Sequence, residues 1–262
     1  MTRIDLAWEA TGDTRAPTLV LGHSLGADRT LWDSLTRALK GSYRVLRFDL
    51  RGHGASPVPP GPYSLEQLTD DVLRIVASAG IARFHYCGVS LGGLVGLALA
   101  ARHPTRIRSL VAANTAAKIG TSAHWAERRL AVRASGMTAL TDTIVSRWFS
   151  PAFAVREPAR FERARSVLAG TDQEGYVACC DALATADLTS ELAAINAPTL
   201  IIGGELDVST PVADAQALHA AIPGSRLEVL AGAAHLSNLD ASDAFEAAVR
   251  AFLSDCTSRE PV

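Results

Sequence analysis

The chain has 262 residues, of which 48% are apolar and 20% charged, with 25 lysines and arginines against 27 aspartates and glutamates for a net charge of −2. That composition is globular rather than disordered, and without a basic run the chain has no means of neutralising a phosphate backbone, which excludes a nucleic-acid binder. A chain this long buries roughly three-quarters of its unfolded surface, so it needs neither disulfide nor metal to hold a core.

Taken in chain order, short β-rich runs alternate with helical patterns. Strands are expected at 6–9 and 18–21, the second running into Gly22-His23-Ser24-Leu25-Gly26. Ala27-Asp28-Arg29-Thr30 then intervenes before Leu31-Trp32 opens a helix. A strand at 44–48 leads to Asp49-Leu50-Arg51-Gly52-His53-Gly54-Ala55-Ser56, where glycines around a charged turn are read as serving shape. Ser64-Leu65-Glu66-Gln67 is a capping box, with Leu65, Leu68, Val72, Ile75, Val76 and Ala79 at helical spacing and Gly80 as the stop. A strand at 84–89 enters Gly88-Val89-Ser90-Leu91-Gly92, and Leu94-Val95-Gly96-Leu97-Ala98-Leu99-Ala100 continues directly as a helix. Further strands are expected at 107–112, 199–202 and 226–230. Several are near-continuous apolar runs, the mark of strands buried on both faces.

Between 116 and 190 the alternation fails and only helices are legible. The fold class is therefore α/β, a mostly parallel sheet flanked by helices, with residues 116–190 expected as a helical cap inserted into a core of 1–115 and 191–262. Residues 257–262 are expected to fray.

G-x-S-x-G occurs twice, and structural context must choose between Ser24 and Ser90. A nucleophile elbow requires a strand running through a strained turn straight into a helix. Ser90 meets that requirement and Ser24 does not; the 22–26 turn fits better as the loop that lends an amide to an oxyanion hole. An acid and a base succeed it in the order Ser–Asp–His used by hydrolases of the α/β type. Asp207 lies just past one apolar strand, and His235, in Ala231-Gly232-Ala233-Ala234-His235, just past the last. Each has a plainer alternative: Asp207 as a cap for the helix after Pro211, Glu205 as a rival acid, His235 as one of seven histidines. Their shared order and placement favour Ser90 as nucleophile, His235 as base and Asp207 as acid, with the Leu91 and Leu25 amides holding the oxyanion.

The histidines show no i, i+4 pair and no cysteine partner, so no metal is expected, and no dinucleotide or P-loop pattern implies a cofactor. Cys87, Cys179, Cys180 and Cys256 lack framework spacing and are expected as reduced thiols of a cytoplasmic protein. Residues 1–5 carry no apolar signal region, and the longest apolar stretch, 94–101, is too short to span a bilayer, so no membrane partner is expected. Residues 118–165 hold nine basic and four acidic side chains. Most of these arginines are expected on a solvated face, with one or two, Arg133 among them, turned inward to hold a carboxylate. Trp125 and Trp148 are either packing or pocket wall, and Trp148 is taken as a substrate contact.

Several segments resemble the 3-oxoadipate enol-lactonases: 47–56, 58–64, Cys87-Gly88-Val89-Ser90-Leu91-Gly92-Gly93-Leu94, 114–121, Arg147-Trp148-Phe149-Ser150-Pro151, 174–180 and Ala234-His235-Leu236-Ser237-Asn238. The resemblance spans nearly the whole chain, including the helical stretch where substrate preference resides. It implies an α/β-hydrolase fold and hydrolysis of 3-oxoadipate enol-lactone to 3-oxoadipate in protocatechuate and catechol breakdown. The partner would be a small lactone bearing a carboxylate, and the protein a monomer or small homo-oligomer. Two alternatives stay open: another ester, lactone or carbon–carbon bond hydrolase on this fold, and a small-molecule receptor with a vestigial triad.

Overall fold

The computed structural model describes residues 4–258; of the 257–262 expected to fray, Thr257 still belongs to a helix, and 259–262 lie outside the described residues. Seven strands form one sheet: β1 Trp8–Thr11, β2 Thr18–Gly22, β3 Arg44–Phe48, β4 Phe84–Val89, β5 Ile107–Ala113, β6 Thr199–Gly204 and β7 Arg226–Leu230. Their order across the sheet is β1-β3-β2-β4-β5-β6-β7. Only the β1–β3 pairing is antiparallel; β2 through β7 run parallel. The central strands β2 and β4 are buried throughout, as inner parallel strands are, with His85 of β4 buried among the apolar residues. β1 begins two residues later than its sequence suggests. Leu6 is drawn into the core ahead of it, and the exposed run Trp8-Glu9-Ala10-Thr11 pairs along the sheet edge.

Helices flank the sheet. α1 (Asp33–Leu39) packs with α10 (Ser242–Thr257), which follows the short α9 (Ser237–Asp240) and covers β5 and β7. α2 (Leu65–Ser78) packs on α3 (Leu91–Arg102), which crosses β2, β4 and β5, while α8 (Val212–Ala221) lies on β6 and β7. The capping box at the start of α2 forms as its sequence implies: Ser64 accepts from the Gln67 amide and Gln67 from the Ser64 amide. At its end Gly80 takes a φ of 70° just beyond the C-cap.

Between β5 and β6 the chain is helical only: α4 (Ser122–Trp148), α5 (Phe153–Arg156), α6 (Pro158–Ala169) and α7 (Gln173–Thr185). α4 is broken at Gly136, whose φ of 75° and ψ of 168° no helix contains, so its two halves run in different directions. Among the described residues no helix is long and apolar enough to cross a membrane. The parallel strands send their chemistry to one edge, since the segments after β2, β3, β4, β5, β6 and β7 all begin at strand carboxyl ends.

Candidate active site

Ser90 sits between β4 and α3 with φ 56° and ψ −118°, a backbone conformation that costs a side-chain-bearing residue about 1–3 kcal/mol. Its neighbours over-determine that strain. The Ser90 N–H donates to the Ala113 carbonyl at 3.0 Å, and the Ser90 carbonyl accepts from Leu94 N–H and Thr115 Oγ1, each at 2.9 Å. Glycine is obligatory on both sides, because a Cβ on Gly88 would stand 2.3 Å from the Gly92 carbonyl oxygen and one on Gly92 2.2 Å from that of Gly22.

Asp207 lies just beyond β6 and is buried. Its Oδ2 accepts His235 Nδ1–H at 2.8 Å, Asn114 Nδ2–H at 2.9 Å and Thr210 Oγ1–H at 2.8 Å. Its Oδ1 accepts the Ser209 and Thr210 amides at 2.7 and 3.0 Å, so one carboxylate both closes a local turn and orients an imidazole. Burial alone would raise this carboxyl. The His235 charge and hydrogen bond, with those of Asn114 and Thr210, outweigh it and hold the group at about 2. Because the carboxylate claims the proton on Nδ1, His235 Nε2 keeps its lone pair. The rival Glu205 is exposed and accepts the Gly232 amide at 2.8 Å, away from the imidazole.

The loop carrying His235 is tied on all sides. The Ala234 N–H donates to Asp240 Oδ2 at 2.9 Å, the Ala234 carbonyl accepts from Asn114 at 3.3 Å, and the Leu236 N–H donates to the Trp148 carbonyl at 2.8 Å. Asp240, fully buried, also accepts the Ser150 amide and hydroxyl, both at 2.8 Å, which joins the helical segment to this loop. Sequence reading gave neither Asn114 nor Asp240 a role: Asn114 stands in a segment noted only for its resemblance, and the bonds from Asn114 to Asp207 and from Ser150 to Asp240 span about 90 residues of chain.

Ser24, Leu25, Ser90 and His235 line one cavity of about 240 Å³ together with Trp125, Arg128, Arg147 and Trp148. The Leu25 and Leu91 amides find no protein acceptor among the described residues, and Leu91 opens α3, where the helix dipole favours negative charge. Trp148 is a wall of this cavity, and on its other side a smaller space of about 130 Å³ holds neither Ser90 nor His235.

Arg133 is a correction. It is exposed and faces Glu174 at 3.7 Å instead of lining the cavity. Five residues of helix rotate a side chain by roughly 140°, so with Arg128 inward Arg133 must point out. The spacing signal existed: His124, Trp125 and Arg128 before the Gly136 break, and Ile144, Arg147 and Trp148 after it, each form one helical face on the cavity. Arg128 reaches only the Tyr176 hydroxyl, at 3.5 Å, and neither it nor Arg147 has a carboxylate partner among the described residues. Lys118, Arg129, Arg156, Arg160 and Arg165, by contrast, are all ion-paired. Burial, then the charges of Arg128 and Arg147, lower His124 beside them, leaving a cavity wall of surplus positive charge.

Residues 17–147 match the family model described as alpha/beta hydrolase fold, and residues 167–261 one described as TAP-like protein. The chain belongs to the α/β-hydrolase family. Among curated relatives, the 3-oxoadipate enol-lactonase 2 of Acinetobacter baylyi is 40% identical over 95% of this chain and 93% of its own. A protein from Pseudomonas syringae named as a putative carbamate hydrolase is 31% identical over 91% of this chain and 94% of its own. Among solved structures, an enol-lactonase from Burkholderia xenovorans superposes with a TM-score of 0.94 at 43% identity, covering 96% of this chain and 97% of that one. This α/β hydrolase shares with it the helical segment as well as the sheet, since the match covers nearly the whole of both chains.

Proposed function

We infer that this α/β hydrolase opens 3-oxoadipate enol-lactone to 3-oxoadipate, a step in the breakdown of protocatechuate and catechol, with residues 116–190 serving as a cap over the core. The observation that carries this is the composition of one cavity: a strained serine, an oriented imidazole, and two guanidinium groups without carboxylate partners.

His235 Nε2 takes the Ser90 proton as Oγ adds to the lactone carbonyl, and the negative oxygen lies against the Leu25 and Leu91 amides. Collapse breaks the ring C–O bond. The leaving group is an enolate, far better than an ordinary alkoxide; it takes the proton from His235 and settles as a ketone, which removes the nucleophile that would reclose the ring. Water, deprotonated by the same imidazole, then releases the acyl group from Ser90 as the second carboxylate. Asp207 holds the imidazole in the working tautomer and stabilises its charged form. Arg128 and Arg147 are the groups available to the carboxylate that substrate already bears, and a guanidinium pairs with a carboxylate more strongly than with a neutral acceptor.

The test is turnover by purified protein of the enol-lactone beside its methyl ester, which masks that carboxylate, and a panel of neutral esters. The free acid should be preferred by one to two orders of magnitude in kcat/KM. Rapid cleavage of a neutral ester with no opening of the enol-lactone would reject the substrate while keeping the hydrolase.

A further inference from the structure

The turn that carries Leu25 is held largely from outside. His23 Nδ1 lies 2.7 Å from the Ser24 carbonyl oxygen, and its Nε2 lies 2.9 Å from the Leu50 N–H. A carbonyl only accepts and an amide only donates, so the proton is on Nδ1 and the lone pair on Nε2. His53 repeats the arrangement: Nδ1–H donates to the Arg51 carbonyl at 3.2 Å, and Nε2 accepts the Gly26 N–H at 2.9 Å. Both side chains are buried, with ring centroids 5.4 Å apart. Burial, then the neighbouring His23, pushes His53 down to about 3, and burial lowers His23 as well, so both rings are neutral at working pH. Protonation would also place an N–H against an N–H at each Nε2.

These two rings grip consecutive peptide groups. The Ser24 carbonyl and the Leu25 N–H belong to one planar unit and point in opposite directions. With its carbonyl held by His23 and the Ala27 amide, that unit presents the Leu25 N–H on the other side. The next unit ends in the Gly26 N–H, which His53 holds, and the Gly26 carbonyl is held in turn by Thr171 Oγ1 at 3.3 Å. Gly26 itself has a φ of 77°, and a Cβ there would stand 2.5 Å from Leu168 Cδ1. Of the three amides in the turn, those of Gly26 and Ala27 are used within the protein; the Leu25 amide is left for a ligand.

We propose that His53 and His23 are positioning residues of the oxyanion hole: by fixing two successive peptide planes from outside the turn, they aim the Leu25 N–H at the oxygen of a tetrahedral adduct on Ser90. His53 thereby gives the Asp49–Ser56 segment, which its glycines alone suggest is architectural, a part in the chemistry. The assignment rests on Ser90 being the nucleophile but not on which ester or lactone is cleaved.

The experiment compares His53→Leu, which removes the acceptor, with His53→Gln, whose amide oxygen reaches about as far as Nε2. p-Nitrophenyl acetate turnover is measured beside the affinity of a phenylboronic acid, which forms a tetrahedral adduct on Ser90, and of adipate, which occupies the cavity without one. For His53→Leu the expected result is a fall in kcat of about 10–100-fold, below the loss for deleting a donor outright. Boronate affinity should fall in parallel, KM and adipate affinity should stay within about twofold, and His53→Gln should recover most of the loss. Should the leucine variant fail to fold, His53→Asn, too short to reach Gly26, replaces it and must show the deficit that glutamine repairs. The proposal is overturned if boronate and adipate affinities fall together, if kcat is unchanged, or if glutamine does no better than leucine or asparagine. Because none of the three probes is the enol-lactone, a protein that ignores that lactone refutes the substrate and leaves this test intact.

Discussion

Two turns of identical pattern lie side by side at one cavity, and they are built differently. Gly22-His23-Ser24-Leu25-Gly26 and Gly88-Val89-Ser90-Leu91-Gly92 each extend from a fully buried central strand, and the strands pair with Gly22 opposite Gly88. Ser90 has a positive φ and a twelve-residue helix beginning at the next position; Ser24 has neither, and its turn passes through Asp28 before the 3-10 turn Arg29–Trp32. The conformation of each turn is determined by the chain downstream of the motif and not by the motif. A helix that starts at once compels the strained elbow that lifts a serine off the sheet. A loop in that place leaves the backbone free to be pulled into shape by its neighbours, here His23 and His53.

That contrast is sharpest in activity. Ser90→Ala should lower kcat by about a millionfold, the scale seen when a triad nucleophile is removed, read by steady-state hydrolysis of any accepted ester. Losing the acid should cost less. Asp207→Asn leaves the shape of the site but disrupts the tautomer on which His235 depends, for about a ten-thousandfold loss in kcat near neutral pH. The same variant reports on stability. The Asp207 carboxyl is held near 2 in the fold, below its ordinary 3.8, so its contribution is full above about pH 4 and lost as pH falls through 2. The wild-type advantage in Tm over Asp207→Asn should therefore shrink across that window; a gap that widens on acidification would contradict the assignment.

Next in size come the two arginines without carboxylate partners. Arg128→Leu or Arg147→Leu should each raise KM for a carboxylate-bearing lactone by roughly 10–100-fold, the worth of a charged hydrogen bond, with kcat and the KM of a neutral ester little changed. Arg133→Leu serves as the comparison, and its exposed pair with Glu174 predicts less than a twofold change. Last is Ser24→Ala, which under this assignment removes a hydroxyl that takes no part in the chemistry and should cost under about tenfold in kcat. If Ser24→Ala were more damaging than Ser90→Ala, the two turns would have to exchange roles.

Much of this was legible along the chain. β3, β4 and β7 span the residues the sequence suggests; β4 is buried throughout, whereas β7 carries Arg226 and Glu228 and is largely exposed. The α2 capping box is a contact over three residues, decided by local geometry that the sequence states outright. Ser90, Asp207 and His235 stood out as candidates for a related reason: each follows closely on a strand's carboxyl end, although Glu205 precedes Asp207 there. The inward arginines were harder, since a basic run on a helix discloses its period but not its phase. Arg128 and Arg133 differ only in which way the first half of α4 is turned about its axis.

By itself, then, the sequence determined most of the strands, the turn at Ser90 and the order in which Ser90, Asp207 and His235 follow strand ends, all of which are read from runs of a few residues. Tertiary structure alone decided what aims those groups. Asn114 on Asp207, Asp240 on Ser150 and His53 on Gly26 join segments 93, 90 and 27 residues apart, and no local pattern encodes them. The physical reason is that a buried donor or acceptor must find a partner wherever the fold brings one, and only the packed chain says where that is.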